Sequence, residues 1–444
     1  MKKCPKCGKE YSDDNGFCSI CGISLNVANP PEPAAEAVAV KPAKSKKIVI
    51  AAVVVIAAIA LILYFFFFNK SSGSSSADSG ENTLFHNGLV NVKLGDNYGY
   101  IDETGSYVIN PQFEFVYDFT DNGFAAVRSG NKWGFIDKTG AYVINPQFDY
   151  AYGFADNGLA AVESGSTWGF INEKGSYVIN PQFDSANWTG FENNGLAWVV
   201  SGDKWGCIDK TGSYVINPQF DYAYGFADNG LARVQSGEKW GYIDKTGSYV
   251  INPQFDGADD FADNGLAPVQ SGDKWGYIDK TGSYVINPQF DYAYSFTDIG
   301  LAEVRTGNWE NCQYGYIDKS GKYVINPQFD DAYSFYNDLA TVKIGDKWGY
   351  IDKTGSYVIN PQFDNAYGFA NNGLAAVQSG DKWGYIDKTG KYVINPQFKD
   401  TLGFFDEGYA LVKVDEKIGI INSKGEYIVN PQFDDIDEYF WYRY

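Results

Sequence analysis

The chain has 444 residues, which is too many for one ordinary compact core and indicates several structural units. Its net charge is −20 at pH 7 and aromatic residues make up 17% of it, so the chain is both acidic and rich in aromatic side chains. An acidic surface repels phosphate backbones, which argues against nucleic-acid binding by the bulk of the chain.

Four cysteines mark residues 1–25. Cys4 and Cys7 form one Cys-x-x-Cys pair, Cys18 and Cys21 form a second, and a glycine follows each pair. Four thiolates at this spacing suit tetrahedral Zn²⁺ and leave no open coordination position for catalysis. Because so short a segment has no core, metal binding would supply its folding energy. The pattern resembles the bacterial double-knuckle zinc ribbon. Two disulfides or free thiols are the alternative.

Three segments without repeats follow. Residues 26–47 are rich in Pro, Ala and Lys and predict a disordered linker, whereas residues 48–68 are uncharged and long enough for a transmembrane helix. Lysines cluster before this helix, so the positive-inside rule places the N-terminus in the cytoplasm. A cleaved signal peptide is the alternative, although its apolar region would be shorter and nearer the N-terminus. Residues 69–83 predict a flexible Ser/Gly linker outside the membrane.

Residues 84–444 form a repeat domain. The motif Asn-Pro-Gln-Phe occurs ten times at intervals of 34 to 39 residues, and an aromatic-Gly pair keeps step with it in nine units. The ten prolines are Pro111, Pro146, Pro181, Pro218, Pro253, Pro288, Pro327, Pro361, Pro396 and Pro431. The first 83 residues hold nine Lys and seven Asp or Glu, which leaves 26 basic and 48 acidic residues, a balance of −22, for the rest.

One unit predicts three short antiparallel strands, Leu231–Ser236, Lys239–Asp244 and Ser248–Asn252. The sequence Asp-Lys-Thr-Gly, residues 244–247, suits a type I turn closed by a left-handed glycine. Pro253 is expected to end the pairing, because it has no N–H to donate.

Both faces of this unit are largely apolar, so each sheet needs cover from its neighbours. Identical units can make identical interfaces, and Gly next to Trp would let a neighbouring unit approach closely. We therefore expect an all-β domain of ten stacked three-stranded meanders in an open superhelix or solenoid. A closed propeller-like ring is the alternative. It is less favoured, because propellers usually have four to eight four-stranded blades, whereas this chain has ten units of three predicted strands.

The motifs Lys-Trp-Gly, Asp-Lys-Thr-Gly and Asn-Pro-Gln-Phe together resemble the WG, or KWG, β-repeat family of bacterial proteins. This resemblance covers about 360 residues. It implies a β-repeat architecture, often in surface or membrane-attached proteins, and no shared enzymatic activity.

No catalytic site is predicted, because a repeat presents the same groups ten times. His86 is the single histidine and is expected at the surface. Asp244 and Asp256 recur in columns, which suits turn capping better than a glycosidase pair or a Ca²⁺ cage.

The recurring tryptophans are expected to fill the core, although exposed stacking platforms are the alternative. They are Trp133, Trp168, Trp205, Trp240, Trp275, Trp348 and Trp383. Better ligand-binding candidates break the pattern: Trp188 and Trp198, and Trp309 in an insertion. Cys207 and Cys312 lie three units apart, so we expect both to be unpaired and Cys207 to pack as an apolar residue.

These features predict a single-pass membrane protein that presents an acidic repeat scaffold outside the cell for protein or glycan recognition. Its zinc ribbon would be a small cytoplasmic docking module, and the oligomeric state stays open. One alternative couples the repeats to the ribbon as a transmembrane sensor, and another is a passive envelope spacer.

Overall fold

The computed structural model describes residues 2–3, 10–11, 83–308 and 311–436. The chain divides into two compact units, residues 1–63 and 64–444. In the first unit, β1 (Lys2–Lys3) and β2 (Glu10–Tyr11) form an antiparallel pair. In the second unit, the described residues form forty strands in ten four-stranded sheets.

The first half of these strands, in chain order, comprises β3 (Leu89–Leu94), β4 (Asn97–Asp102), β5 (Tyr107–Phe113), β6 (Phe115–Val116), β7 (Phe124–Ser129), β8 (Lys132–Asp137), β9 (Tyr142–Phe148), β10 (Tyr150–Phe154), β11 (Leu159–Ser164), β12 (Thr167–Asn172), β13 (Tyr177–Phe183), β14 (Ser185–Phe191), β15 (Leu196–Ser201), β16 (Lys204–Asp209), β17 (Tyr214–Phe220), β18 (Tyr222–Ala223), β19 (Ala232–Ser236), β20 (Lys239–Ile243), β21 (Tyr249–Phe255) and β22 (Gly257–Ala258).

The second half comprises β23 (Ala267–Ser271), β24 (Lys274–Ile278), β25 (Tyr284–Phe290), β26 (Tyr292–Ala293), β27 (Ala302–Thr306), β28 (Gln313–Ile317), β29 (Tyr323–Phe329), β30 (Asp331–Ala332), β31 (Ala340–Ile344), β32 (Lys347–Ile351), β33 (Tyr357–Phe363), β34 (Asn365–Ala366), β35 (Leu374–Ser379), β36 (Lys382–Asp387), β37 (Tyr392–Phe398), β38 (Asp400–Thr401), β39 (Tyr409–Val414), β40 (Lys417–Asn422), β41 (Tyr427–Phe433) and β42 (Asp435–Ile436).

The sheets are the ten blades of a closed ring. Blades 2 to 10 are the successive sets of four strands from β6–β9 to β38–β41, each an antiparallel meander in chain order. Blade 1 has the order β42-β3-β4-β5, so the last described strand completes the first sheet. In this closure Val92 pairs with Ile436 and Lys93 pairs with Asp435.

The expected open superhelix is therefore wrong, and the closed alternative is the observed form. An open stack would leave one apolar face of the first blade and one of the last blade in water. In the ring, Val90 and Ile101 of blade 1 pack with Leu411, Ile420 and Val429 of blade 10 in one buried cluster. Burying these faces is favourable at about 25 cal/mol per Å² of apolar surface, and closure does so without special end units.

Each blade has four strands rather than the expected three. The additional strand is a short one that follows Asn-Pro-Gln-Phe, such as β18 in blade 5. The last strand is also longer than predicted, because β21 continues through Pro253 to Phe255. Its register shifts between Phe255, which pairs with Trp240, and Ile251, which pairs with Tyr242, so Asn-Pro-Gln forms a bulge that needs no ladder bond from proline.

This bulge explains the glycine of the Trp-Gly pair. A Cβ on Gly241 would lie 2.6 Å from both the Ile251 carbonyl oxygen and the Pro253 nitrogen. The strand that approaches Gly241 closely belongs to the same blade, so the expectation that the glycine admits a neighbouring unit is wrong. The equivalent glycine in the other nine blades meets the same backbone atoms within 2.8 Å.

Adjacent blades pack face on face, as the apolar faces of the unit predict. Between blades 5 and 6, Tyr242, Ile251 and Phe255 meet Ala267 and Val269 in a buried cluster. Ten such clusters occur among the described residues, one for each pair of neighbours around the ring.

The aspartates predicted to cap turns do so. Asp244 Oδ1 accepts hydrogen bonds from the backbone N–H groups of Thr246 and Ser248, and Gly247 has φ +82°. The Thr246 hydroxyl donates to the same oxygen, and this bond, together with the backbone bonds, lowers the pKa of Asp244 because all of them stabilise the charged form.

The second aspartate column joins neighbouring blades. Asp256 Oδ1 lies 2.5 Å from Lys239 Nζ, and Asp256 Oδ2 accepts a hydrogen bond of 2.8 Å from the Gly272 N–H of the next blade. At the closure, Asp434 binds Lys417 and the Gly95 N–H in the same way. The seam of the ring therefore has the same contacts as five of the other joints.

One buried position on the second strand varies from blade to blade and faces the next blade. From blade 1 to blade 10 it holds Asn91, Ala126, Ala161, Trp198, Arg233, Pro268, Glu303, Thr341, Ala376 and Leu411. Its cross-strand partner is usually Tyr or Phe, but Trp198 pairs with Cys207. In blade 4 the large Trp198 is thus matched with the small Cys207.

Candidate ligand-binding surface

The structure separates the three tryptophans that break the repeat pattern. Trp188 lies in β14 and is 62% exposed, so it is available to a ligand. Trp198 is only 1% exposed and stacks on Phe226 of the next blade at 5.6 Å. Trp198 is therefore a core residue, and its prediction as a binding residue is wrong. Trp309 lies outside the described residues.

The predicted zinc ligands, Cys4, Cys7, Cys18 and Cys21, also lie outside the described residues. Their donor set fits a structural Zn²⁺, because four thiolates complete a tetrahedron without a water ligand. Within the described part of the chain, no group of three or more His, Cys, Asp or Glu side chains could hold a metal ion.

The other two cysteines are free, as predicted. Cys207 is fully buried between blades 4 and 5, and burial raises the pKa of its thiol far above the ordinary value. Cys312 is half-buried. The buried thiol is therefore an apolar packing group rather than a nucleophile.

The recurring tryptophans lie mainly in the core, as expected. Trp133, Trp168, Trp348 and Trp383 are at most 8% exposed, whereas the other three are half-buried. Four of them stack on a tyrosine that follows the first strand of the same blade. The pairs are Tyr117–Trp133 at 5.3 Å, Tyr152–Trp168 at 5.0 Å, Tyr333–Trp348 at 5.3 Å and Tyr367–Trp383 at 5.1 Å.

These tyrosines belong to a surface that we call the aromatic stripe. It comprises the aromatic residues at or just after the first strand of seven blades: Tyr117, Tyr152, Trp188, Tyr224, Tyr294, Tyr333 and Tyr367. Tyr224 and Tyr333 are 40% and 52% exposed. The half-buried members are Tyr117, Tyr152, Tyr294 and Tyr367. The stripe therefore offers aromatic surface blade after blade.

Members of the stripe in blades 2 and 3 lie close to one another. The Tyr117 and Tyr152 rings of these successive blades are 6.4 Å apart, and the Tyr117 and Tyr150 hydroxyls are 2.7 Å apart. The aromatic surfaces of these two blades therefore adjoin.

Cationic side chains accompany the aromatic residues of several blades. Arg305 and Lys343 lie over the Tyr292 and Trp348 rings at 5.6 and 5.7 Å. In blade 5, the Arg233 guanidinium lies 3.8 Å from the centre of the Tyr224 ring. Tyrosine and tryptophan faces attract cations through the ring quadrupole, so the stripe has an electrostatic preference as well as an apolar one.

Arg233 is held by two carboxylates of blade 6. Its Nη1 lies 3.1 Å from Asp259 Oδ1, and its Nε lies 3.2 Å from Asp260 Oδ1. Nη1 also donates to the Ala258 carbonyl at 2.6 Å. The guanidinium thus lies between an aromatic face and two carboxylates, an arrangement that stabilises a largely buried cation.

Two other polar features occur among the described residues. A groove of about 240 Å³ is lined by Asp263, Asp298 and Lys319, among other residues of blades 6 and 7. His86 is half-exposed, as expected of a surface residue, with Nε2 3.9 Å from Asp118 Oδ2.

Sequence reasoning missed the aromatic stripe as a surface, although its signal was present. In several units, the four residues after Asn-Pro-Gln-Phe are Asp-Tyr-Ala-Tyr, as at residues 149–152 and 221–224. Alternation of Tyr and Ala is typical of a strand with one aromatic face. The three strands predicted for each unit end before this segment, so its aromatic face was not considered.

Among the described residues, no helix is both long enough and apolar enough to span a bilayer. The segment predicted to do so, residues 48–68, lies outside them.

The solved structures that resemble the chain share little sequence with it. A eukaryotic initiation factor is 11% identical, with a TM-score of 0.48, 79% of this chain covered and 98% of that chain. Hsv2p of Kluyveromyces lactis is 10% identical, with a TM-score of 0.35 and coverage of 55% and 95%. Dipeptidyl peptidase 4 of Porphyromonas gingivalis is 11% identical, with a TM-score of 0.38 and coverage of 71% and 58%. We draw no functional argument from these similarities.

No curated protein sequence matches the chain. Two protein families do. The zinc-ribbon domain matches residues 3–25. The WG containing repeat matches ten consecutive segments, residues 98–133, 133–167, 168–205, 205–240, 240–275, 275–308, 314–348, 348–383, 383–417 and 418–440. With ten repeats over most of its length, the chain belongs to the WG-repeat family and folds its repeats into a ten-bladed β-propeller ring.

Proposed function

We propose that this chain is a single-pass membrane protein whose WG-repeat ring binds a protein or glycan ligand outside the cell. The aromatic stripe is the observation that carries the proposal. Tyrosine and tryptophan supply large contact areas with little loss of side-chain entropy, and several weak contacts on one ring can add by avidity.

The membrane anchor rests on sequence. Residues 48–68 contain no charged side chain and would reach about 31 Å as a helix, while lysines cluster on the N-terminal side. In this topology the ribbon Cys4, Cys7, Cys18 and Cys21 would hold Zn²⁺ in the reducing cytosol, where thiols stay available to metal. Protease treatment of intact cells tests the topology, because the repeat domain should be cleaved while residues 1–47 are protected. Protection of the repeats would contradict it.

Capture from an envelope extract by the full-length chain tests the binding role. Trp188→Ala and Tyr224→Ala should each weaken capture, since both remove exposed aromatic surface from the stripe. Val250→Ala is the matched control, because Val250 is 44% exposed on the fourth strand, at the other edge of the blade. Equal capture by all variants would contradict binding at the stripe, and no captured component at all would favour a passive spacer.

A further inference from the structure

One register position next to the aromatic stripe holds a cation in half of the blades. This position is on the second strand, directly opposite the first residue of the short strand. In blades 1, 2, 7, 8 and 10 it holds Lys93, Arg128, Arg305, Lys343 and Lys413. In blades 3 to 6 it holds Glu163, Val200, Gln235 and Gln270, and in blade 9 it holds Gln378.

Where a cation occupies this position, it lies over an aromatic ring of the same blade in four cases. Lys93 is 4.9 Å from the Tyr98 ring centre, and Arg128 is 5.8 Å from that of Phe115. Arg305 lies over the Tyr292 ring, and Lys343 lies over the Trp348 ring. These blades therefore satisfy the electrostatic preference of their aromatic faces internally.

Blades 3 to 6 form a continuous arc without that cation. Glu163 lies opposite Tyr150 and Trp168, which puts a carboxylate beside two aromatic rings. The arc also carries the exposed Trp188 and Tyr224. The third-strand lysines of blades 4 to 6 are ion-paired with Asp221, Asp256 and Asp291, so they do not replace the missing cation.

The arc contains one internal example of how a cation binds there. The Arg233 guanidinium lies 3.8 Å from the Tyr224 ring centre and pairs with Asp259 and Asp260. Aromatic faces flanked by carboxylates can thus hold a guanidinium on this ring. Aromatic and acidic groups together match the planar, weakly hydrated and permanently charged guanidinium better than they match an anion.

We propose that the arc formed by blades 3 to 6 binds a Lys- or Arg-rich segment of a protein partner. This inference rests on the proposed binding function and names the class of its ligand. Charge complementarity supports it, because residues 84–444 carry 48 acidic and 26 basic residues. Such a field would speed the encounter with a basic segment, and the aromatic arc would determine where the segment binds.

Titration of the full-length chain with a peptide of alternating Arg and Gly tests this proposal. Tryptophan fluorescence and calorimetry report binding, and a peptide with Gln in place of Arg is the ligand control. Glu163→Lys places a cation beside Tyr150 and Trp168, as Lys343 does in blade 8, and should weaken binding by about tenfold or more. Gln235→Lys makes the same kind of change in blade 5 and serves if the first variant fails to fold.

Glu103→Lys is the matched control, since it changes the charge equally at an exposed turn residue of blade 1. It should alter affinity by less than about twofold at physiological salt, because screening weakens distant charges. Equal losses in Glu163→Lys and Glu103→Lys would overturn the proposal, because they would show attraction to net charge alone. Unchanged binding by both Glu163→Lys and Gln235→Lys would also overturn it.

The ligand class and the binding function can fail separately. If the Arg peptide does not bind but a glycan or a neutral protein is captured in a way that needs Trp188, this inference fails and the proposed function stands. If neither the peptide nor any component of an envelope extract binds, both fail.

Discussion

Replacing Trp198 by Ala tests whether the variable buried position and its cross-strand partner act as one packing unit. Trp198 is 1% exposed, lies opposite the fully buried Cys207 and stacks on Phe226. Trp198→Ala should lower the free energy of unfolding by about 3–5 kcal/mol, because it leaves a large cavity. Cys207→Tyr alone should cost about 1–3 kcal/mol through overpacking.

The double variant Trp198→Ala/Cys207→Tyr should recover most of both losses. It recreates the pair found in blade 9, where Ala376 lies opposite the fully buried Tyr385. The new hydroxyl can donate to the Tyr224 carbonyl, as the Tyr242 hydroxyl donates to the Asp259 carbonyl at 2.6 Å. The change also removes an indole N–H that is buried without an acceptor in the described structure.

Urea unfolding of the full-length chain, followed by far-UV circular dichroism, measures these effects. The coupling energy should be at least about 2 kcal/mol in the direction of recovery. Trp188→Ala is the control for loss of a tryptophan, because its exposed side chain should contribute less than about 0.5 kcal/mol. Losses that simply add in the double variant would refute the idea that the two positions share one volume.

Three further predictions concern backbone, pH and metal. Gly241→Ala should destabilise the ring by on the order of 3 kcal/mol, because its Cβ would lie 2.6 Å from backbone atoms. Gly237→Ala is the control and should cost about 1 kcal/mol, because Gly237 has φ +64° but open space around it. Equal midpoints of urea unfolding for the two variants would contradict the clash. Burial raises the pKa of Glu303, which accepts a hydrogen bond from Ser334, so wild-type stability should decline as the pH rises above the ordinary Glu pKa. Glu303→Gln should flatten that decline, and a parallel pH profile would argue against it. The purified chain should release one Zn²⁺ to a chromogenic chelator, and Cys4→Ser/Cys7→Ser should release none; zinc retained by this variant would exclude the four-thiolate site.

Much of the ring follows from the repeat pattern. The period of about 35 residues predicted ten units, and the Asp-Lys-Thr-Gly turns predicted left-handed glycines such as Gly247. The apolar character of both strand faces predicted face-to-face packing of neighbouring units. These features are local or are imposed by burial, so they are readable from composition and spacing.

The remaining features depend on relations between distant residues. Closure is decided by whether Asp435–Ile436 reaches β3, more than 300 residues earlier, and no local pattern encodes the tilt between blades. The bulge at Asn-Pro-Gln was missed because proline usually stops a strand, whereas here the neighbouring glycine makes room for it. Trp198 was misread because a break in a repeat was taken as a sign of exposure, although the partner Cys207 shows that the break is compensated inside.

The pairing of β42 with β3 makes the choice of starting blade arbitrary for the geometry of the ring. The lysine–aspartate–glycine contact at Asp434 and Gly95 is the same as the contact at five other joints of the ring. A chain cut at the exposed Gly237–Glu238 turn, with residues 83 and 436 joined by a short linker, should therefore rebuild the same ten sheets. Circular permutation could accordingly place the chain termini at almost any hairpin of the domain. A genetic fusion could then be attached at a chosen blade.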